Sequence, residues 1–379
     1  MRAREAIRKI ARRSPGELCL EAGRRFRVAS RLERRLRGWA FRPYALSFWV
    51  TRRCNLNCAM CWVATSRRAE AEAYLRGGDE LTLAELKAVA DDVAVWRPRV
   101  GITGGEPLLR SDTLDFIAYL KSRRFRVGVN TNGTLLTTYA AGLVEAGADS
   151  VMVSIDGPPA VHDAIRGGAG AFERAYAGVQ ALAAERRRRR AVTPHLKITC
   201  TISRANVDRL AETVARFGDA GIDEFTFQHL WFTDRGVAAA QRRLFQELFV
   251  QDTTYLEGFI TDEIPPLSVA ALAEERRRVA AARYPFPVNF YPPLTESEIA
   301  AFYTRPSEML RRPCFSRWLR LDVMPWGGVT PCLGFEAGNV RERPLREIWN
   351  NELFRRFRRE LAGRKVYPGC ARCCGLFSD

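Results

Sequence analysis

The sequence predicts an α/β fold in which an open, partial (β/α)6 barrel of the TIM type precedes a cysteine-rich C-terminal extension made of a hairpin and a helix. From residue 44 onward, short apolar runs alternate with amphipathic segments, which is the pattern of βα units around a parallel sheet. After residue 312 this alternation ends and five cysteines follow. Six βα units cannot close an eight-stranded barrel, so the sheet is expected to stay open.

The predicted strands and helices of the core alternate along the chain. Thr82, with Glu85 three residues later, has the form of a capping box and begins the first helix. In the segment after the core, RRLFQELF and SVAALAEERRRVAAARY predict helices, and PFPVNFYPPL predicts a proline-broken connection. The core strands are predicted at 44–51, 98–103, 126–130, 149–154, 195–203 and 222–228, and the helices at 81–96, 111–123, 136–146, 171–189 and 206–219.

Composition divides the chain into four parts. They are a basic amphipathic helical arm (1–43), the barrel core (44–230), a helical and irregular segment expected to shape a substrate pocket (231–311) and the cysteine-rich extension (312–379). The arm holds fourteen Lys or Arg residues against four Asp or Glu, with apolar residues between them. Such an arm could bind an anionic membrane surface or an acidic partner. An arginine-rich solvated surface is the alternative interpretation.

The bulk composition is that of a globular protein, with 47% hydrophobic and 27% charged residues. No apolar run approaches the roughly 18 residues of a transmembrane helix, and the basic start lacks the apolar stretch of a secretory signal. Ten cysteines, several of them clustered, indicate metal binding in a reducing compartment instead of a disulfide framework. We therefore expect a cytoplasmic protein. Nucleic acid is not an expected partner, because no binding motif accompanies the positive charge.

Three cysteines lie within eight residues at the end of the first predicted strand. Cys54, Cys58 and Cys61 are separated by three and then two residues, and no fourth cysteine is nearby. A zinc site, the alternative, would usually show paired Cys-x2-Cys knuckles or added histidines. Three close thiolates suit a [4Fe–4S] cluster that keeps one iron open for another ligand.

Each of the first four predicted strands ends in a polar, cysteine-rich or glycine-rich motif. In (β/α) barrels the working residues lie at the C-terminal ends of the strands. The four motifs therefore predict one site at one end of the barrel. They are the three-cysteine loop, Gly104-Gly105-Glu106-Pro107, Asn130-Thr131-Asn132-Gly133 and Ser154-Ile155-Asp156-Gly157.

On these motifs the chain resembles the radical S-adenosylmethionine (SAM) enzymes over about residues 44–230 and 312–379. The three cysteines match the family's cluster motif, and residues 104–106 match its Gly-Gly-Glu motif. Ser-Ile-Asp-Gly-Pro, together with His162-Asp163 and Arg166, matches the subgroup that carries a C-terminal cysteine-rich extension. Met60 departs from the family, which more often has an aromatic residue before the third cysteine.

The resemblance implies that the open iron binds the amino and carboxylate groups of SAM. It further implies that the Gly-Gly-Glu segment holds the methionine amino group, and that Ser154 and Arg166 meet the carboxylate and ribose. Backbone groups near Thr201 would meet adenine. Reductive cleavage of SAM would then give a 5′-deoxyadenosyl radical that abstracts hydrogen from the substrate. The predicted cofactor-binding residues are Trp62, Gly104, Gly105, Glu106, Asn130, Ser154, Asp156, Arg166 and Thr201.

Two of the three histidines need separate interpretations. His229 ends the sixth predicted strand, where substrate is expected, and is a candidate catalytic residue beside the three cysteines. A packed histidine is the alternative for this position. His162 is expected to be a structural hydrogen-bonding residue.

The tail contains a second set of cysteines. Twelve residues separate Cys314 from Gly327 and four more lead to Cys332, which resembles the opening of the SPASM extension of the same superfamily. A full SPASM tail carries seven cysteines and two auxiliary clusters, whereas this tail resembles the shortened twitch form with one. The predicted ligands of one auxiliary [4Fe–4S] cluster are Cys314, Cys332, Cys370 and Cys373, with Cys374 as the alternative to Cys373 and structural zinc as the alternative metal. Cys19 and Cys200 are expected to be bystanders.

An auxiliary cluster with four thiolate ligands has no iron left for substrate, so its expected task is electron transfer. A reductant such as flavodoxin or ferredoxin is an expected partner. The leading prediction is a radical SAM oxidoreductase that abstracts hydrogen from a small-molecule or lipid-like substrate. The alternatives are a maturase of ribosomal precursor peptides, for which residues 1–43 are too short a leader-binding domain, a glycyl-radical activase and a non-catalytic electron carrier.

Overall fold

The computed structural model describes residues 38–61, 79–252, 254–260, 267–305, 307–310, 314–332 and 334–377. Residues 1–37 and Trp62 lie outside these ranges. The helical arm, its membrane contact and the role of Trp62 therefore stay predictions. Within the described ranges, no helix is both long and apolar enough to cross a membrane.

A single sheet of ten strands forms the centre of the molecule, in the order β10-β9-β8-β1-β2-β3-β4-β5-β6-β7. Neighbouring strands from β1 to β7 are parallel, which confirms the predicted open α/β barrel. The predicted strand bounds agree with the structure within about two residues. The barrel strands are β1 Ala45–Trp49, β2 Arg99–Thr103, β3 Arg126–Thr131, β4 Ser150–Ser154, β5 His195–Ile202, β6 Glu224–His229 and β7 Val288–Tyr291.

Helices cover the outer face of this sheet. The helices of the core are α1 Leu83–Val93, α2 Thr113–Ser122, α3 Leu136–Glu145, α4 Pro159–Arg166, α5 Ala171–Arg188 and α6 Leu210–Ala215. In β1 to β4 every second residue is buried, and Phe48 of β1 packs edge-on against Phe116 of α2 with ring centroids 5.1 Å apart. The Thr82–Glu85 capping box that starts α1 is confirmed.

The alternate residues of the strands form what we call the inner face of the barrel. Ser47, Gly101, Gly128 and Ser150 lie side by side in register across β1 to β4, and all four are partly exposed. A Cβ atom on Gly101 would have the Ser47 Oγ as its nearest neighbour, 3.8 Å away. Bulky branched side chains fill the interior of a closed TIM barrel, whereas these small residues leave space there.

The segment after the core contains α7 Arg235–Phe249, α8 Val269–Ala281, β7 and α9 Glu296–Thr304. The two helices predicted here are confirmed. The proline-broken connection was wrong, because Val288–Tyr291 forms β7 and pairs parallel with β6. Only one side of β7 is paired within the sheet, so flanking prolines are tolerated at this edge as they would not be in a central strand.

The C-terminal region extends the barrel sheet instead of standing apart from it. The predicted hairpin forms from β8 Arg320–Val323 and β9 Gly328–Thr330, and β8 pairs parallel with β1. A short β10, Gly338–Asn339, follows. The single predicted helix after it is two, α10 Leu345–Ile348 and α11 Glu352–Arg364. Asn351 begins the second by accepting the Phe354 N–H at 2.7 Å.

Arg372, between two of the tail cysteines, anchors the tail to α9. Its guanidinium donates to the carbonyl oxygens of Phe302 (2.5 Å), Ala301 (3.0 Å) and Glu308 (2.8 Å), and it stacks 4.9 Å from the Phe302 ring centroid. These carbonyls belong to the C-terminal end of α9 and the turn after it, where the helix dipole favours a cation. The buried cation therefore holds the tail and the connecting segment together.

We expect Arg372→Gln to lower the free energy of unfolding by roughly 2–4 kcal/mol, because buried carbonyls lose charged donors. Urea denaturation followed by circular dichroism would measure the change. The control is Arg359→Gln on the exposed side of α11, whose surface ion pair with Glu352 is worth little. Equal midpoints for the two variants would contradict this role for Arg372.

Candidate functional site

The loop that carries the first three cysteines is fixed on one side by the end of β2. The Gly105 N–H donates to the Thr51 carbonyl and the Glu106 N–H to the Arg53 carbonyl, both at 2.8 Å. A Cβ atom at position 105 would lie 2.2 Å from the Arg53 oxygen, so only glycine allows this approach. The glycines predicted to contact the cofactor thus also bind the cysteine loop.

The other side of the loop rests on the end of α4. The Asn57 N–H donates to the Arg166 carbonyl at 3.2 Å, and the Ala59 N–H donates to the Ile165 carbonyl at 2.9 Å. Gly167 then ends the helix in the left-handed conformation, with φ of 65°. The segment after β2 and the C-terminal end of α4 therefore hold a loop that has no regular structure of its own.

The three thiols of this loop lie together at the barrel end. Cys58 is buried and packs with Leu56 and Ala171, and Cys54 and Cys61 pack against that group. Burial raises the pKa of both Cys54 and Cys58. The proximity of the thiols supports the predicted ligand set, whose assignment stays a prediction.

Arg166 joins the thiols to the end of β4. Its Nη1 lies 3.8 Å from the Cys58 Sγ and donates to it, and its Nε lies 2.5 Å from the Asp156 carboxylate. Burial alone would lower the pKa of Arg166, but Asp156 and Cys58 raise it overall. The other Asp156 oxygen accepts the Thr201 N–H at 2.8 Å. One buried ion pair therefore connects the loop, β4 and β5.

Glu106 is fully buried, and both of its carboxylate oxygens accept hydrogen bonds from the protein. The donors are the Thr131 hydroxyl and the Asn132 N–H, each at 2.7 Å, and the Leu108 N–H at 3.1 Å. Burial raises the pKa of Glu106 and these hydrogen bonds oppose the rise. Asn132 in turn donates to the Cys54 sulfur at 4.0 Å. Glu106 thus organises the end of β3 beside the thiols, and its contact with cofactor stays a prediction.

Buried polar atoms near this barrel end that have no hydrogen-bond partner among the described residues include the Asn130 Oδ1 on β3 and the Thr199 Oγ1 on β5. Thr199 is adjacent in register to Ser154, the predicted cofactor residue at the end of β4. Buried polar atoms without partners are rare, and a bound polar molecule is one group that could satisfy them. The residues at the strand ends therefore fit a polar ligand such as SAM lying beside the thiols.

His229 lies on the outer face of β6, where Phe225 and Phe227 precede it. Its Nδ1 shares a 2.7 Å hydrogen bond with the Tyr303 hydroxyl, and the side chain is 3% exposed. Burial lowers the pKa of His229 to about 3, so the ring is neutral. These contacts favour the packed-histidine interpretation, and the catalytic role stays a prediction. The neighbouring Gln228, on the inner face, is the partly exposed one.

The four tail cysteines predicted as auxiliary ligands converge. Burial raises the pKa of Cys370 well above its usual value, and the neighbouring Cys332, Cys373 and Cys314 thiols raise it further. Cys373 also acts on Cys314, and Cys374 hydrogen-bonds with Cys373. This arrangement favours Cys373 over Cys374 as the fourth ligand.

Sequence reasoning missed two residues that the structure brings to the candidate sites. Thr199 lies beside Ser154 in register, where a count of inward-facing positions on β5 would have identified it. The other, Arg317, is buried among the tail cysteines. Its only sequence signal is its position three residues after Cys314.

His162 makes stability at this barrel end depend on pH. Its Nδ1 accepts the Asp156 N–H at 3.1 Å, and burial lowers its pKa to about 3. Because the unfolded chain binds this proton below about pH 6.5 and the folded chain does not, stability falls as pH decreases from there. His162→Asn keeps an acceptor and removes the titration, so its unfolding free energy should fall less steeply, by up to about 1.4 kcal/mol per pH unit. Urea denaturation between pH 7.5 and 5 measures both slopes; parallel curves would contradict the assignment.

Comparison with known families agrees with the two cysteine sets. Residues 50–193 match the Radical SAM superfamily, and residues 314–374 match SPASM, an iron–sulfur cluster-binding domain. The first range contains the three-cysteine loop and the ends of β2 to β4. The second contains all five tail cysteines.

Similar proteins cover nearly the whole chain. An AdoMet-dependent heme synthase of Methanosarcina barkeri is 30% identical over 353 residues, which span 86% of this chain and 91% of that protein. An Fe-coproporphyrin III synthase of the same organism is 28% identical over 351 residues, spanning 86% and 79%. The crystal structure of Streptococcus suis SuiB bound to the precursor peptide SuiA has a TM-score of 0.59 at 14% identity and covers 90% of this chain and 72% of that one, so the two share a fold.

Membership of this family implies an SAM-binding [4Fe–4S] cluster and auxiliary iron–sulfur chemistry, which the two sets of thiols can accommodate. The chain belongs to the radical SAM superfamily of enzymes, in the group that carries a SPASM-type iron–sulfur domain.

Proposed function

We propose that this enzyme acts on an iron tetrapyrrole and converts propionate side chains to vinyl groups. The observation that carries the proposal is similarity over most of both chains to one protein that makes heme and another that makes Fe-coproporphyrin III. Both products are iron tetrapyrroles. This substrate class replaces the lipid-like substrate expected from the sequence.

Heme differs from Fe-coproporphyrin III by two vinyl groups in place of two propionates. Each conversion removes one hydrogen atom, one electron and one CO2: R–CH2–CH2–COO⁻ gives R–CH=CH2, CO2, H• and e⁻. SAM bound at the first cluster supplies the hydrogen-abstracting chemistry. The electron requires an acceptor, which agrees with the expected task of an auxiliary cluster held by four thiolates.

The residues at the barrel end would bind and orient the reactants. Cys54, Cys58 and Cys61 would hold the first cluster, and Arg166 and Ser154 would orient SAM against it. The Asn130 side-chain oxygen would accept a hydrogen bond, and the Thr199 hydroxyl would accept or donate one. The remaining predicted contacts to SAM are Gly104, Gly105, Glu106, Asp156 and Thr201.

The inner face of the barrel supports a large, flat substrate. The row formed by Ser47, Gly101, Gly128 and Ser150 carries little side-chain volume, so a wide ring system would find space between the strand ends and the tail. The β8–β9 hairpin lies between Cys314 and Cys332, and β8 pairs with the strand that leads into Cys54. A substrate inside the barrel would therefore lie near both cysteine sets.

A peptide maturase is the second candidate, because SuiB, whose structure contains a precursor peptide, has the same fold. That likeness is at 14% identity and concerns the fold, whereas the two tetrapyrrole enzymes match in sequence over most of the chain. The tetrapyrrole substrate is therefore the better supported of the two.

We expect the anaerobically reconstituted enzyme, given SAM, a flavodoxin reducing system and Fe-coproporphyrin III, to form heme and 5′-deoxyadenosine. Liquid chromatography with mass spectrometry would detect a loss of 46 mass units per converted side chain, which is the mass of CO2 and two hydrogens counted on the neutral acid. The variant with Cys54, Cys58 and Cys61 all changed to Ala should form neither product.

Measuring both products tests the choice of substrate separately from the cleavage of SAM. Deoxyadenosine without any change in the tetrapyrrole would refute this substrate while leaving SAM cleavage intact. Absence of both products from a fully iron-loaded wild type would contradict the proposed activity as a whole.

We expect Cys373→Ser to lose about four irons per chain and Cys374→Ser to keep them, because the Cys373 thiol acts on both Cys370 and Cys314. Iron and sulfide assays on reconstituted protein measure the content. The two variants are matched, since they remove adjacent thiols of one turn. The reverse pattern would assign Cys374 as the ligand.

A further inference from the structure

Each set of cysteines has one buried arginine beside it, and the two arginines differ in how their charge is balanced. Arg166 donates to the Cys58 sulfur and forms an ion pair with Asp156 at 2.5 Å. Arg317 lies among the tail cysteines and is 9% exposed. Neither arginine is accounted for by ligation of a cluster, because arginine is not a metal ligand in these sites.

Arg317 occupies a turn between Cys314 and β8. Its guanidinium hydrogen-bonds the Cys314 sulfur and donates to the Pro331 carbonyl, next to Cys332. A Cβ atom on Gly375 would lie 3.1 Å from the Arg317 Nη2 and 3.3 Å from the Cys373 Sγ. Both atoms therefore lie next to Gly375. The cation therefore lies against three of the four predicted ligands.

No carboxylate of the described residues is in ion-pair contact with Arg317. Asp322 acts on it less strongly than the Cys332, Cys314 and Cys373 thiols do. Arg166, by contrast, is in contact with the fully buried Asp156. The tail site therefore places a guanidinium against the thiols without a carboxylate in contact with it, whereas the first site pairs its guanidinium with one.

We propose that Arg317 raises the reduction potential of the auxiliary cluster above that of the SAM-binding cluster and so makes it the electron acceptor. Reduction adds one negative charge to a cluster, and a nearby uncompensated cation stabilises the reduced form. An N–H donor to a ligand sulfur acts in the same direction. Arg317 is a positioning residue in this sense, since it acts through the cluster and touches no substrate.

The effect of Arg317 on the potential does not depend on the proposed function. Only its consequence, the removal of an electron from a substrate radical, rests on that function. The paired charges at the first site leave that cluster with a low potential, as cleavage of SAM requires of a reductant. The unpaired charge at the tail site raises the other potential. An electron released from the substrate would then pass to the tail site in preference to the first.

The test is the midpoint potential of the auxiliary cluster in Arg317→Gln and Arg317→Lys. Both are made in the variant with Cys54, Cys58 and Cys61 changed to Ala, so that only the auxiliary cluster is observed. Redox titration followed by electron paramagnetic resonance gives the potential, and iron content checks the loading. We expect the Gln variant to shift to a more negative potential and the Lys variant, which keeps the charge, to stay closer to the parent.

Arg359→Gln on the surface of α11 is the control and should leave the potential unchanged. Unchanged potential in a fully loaded Arg317→Gln would overturn the proposal, as would loss of iron from both Arg317 variants, which would assign a structural role instead. If the potential shifts as expected but the wild type leaves Fe-coproporphyrin III unchanged, the proposed function fails and the role of Arg317 stands.

Discussion

The parallel pairing of β8 with β1 is the constraint on which the rest of this structure depends. It joins a hairpin from the C-terminal region to the first strand of the barrel, some 270 residues earlier in the chain. Because β1 leads into the first cysteine loop and the hairpin lies between Cys314 and Cys332, one set of hydrogen bonds fixes both thiol sites to one sheet. The distance between the two sites is thus set by rigid backbone and not by a linker.

Three buried arginines are stabilised by three different kinds of partner. Arg166 is paired with Asp156, Arg372 is surrounded by main-chain carbonyls, and Arg317 lies against thiols. Burying a cation without partners would cost much free energy, so each of these arginines requires partners around its guanidinium. The first arrangement connects strands, the second connects the tail to α9, and the third gives the tail site its electrostatic character.

The order of strands and helices could be predicted because each carries its own signal. Apolar runs identified six strands, and the Thr82–Glu85 capping box marked the start of α1. β7 could not be predicted in this way, because four residues between prolines carry too little pattern and an edge strand depends on the neighbour it meets. His229 shows the same limit: its position at a strand end was visible, but the face it occupies depended on the packing of Tyr303 from α9.

The sequence by itself determined the family, the two sets of cysteines and the strand-end motifs. Each of these signals lies in a short segment, and the spacing of its residues follows from the group that they would bind. Only the tertiary structure decided which side chains meet across segments. The Arg166–Cys58 hydrogen bond, the Thr131 and Asn132 donors to Glu106 and the position of Arg317 among the tail thiols all join residues from different connections. Contacts of this kind arise from the packing of distant segments, and no local pattern in the chain encodes them.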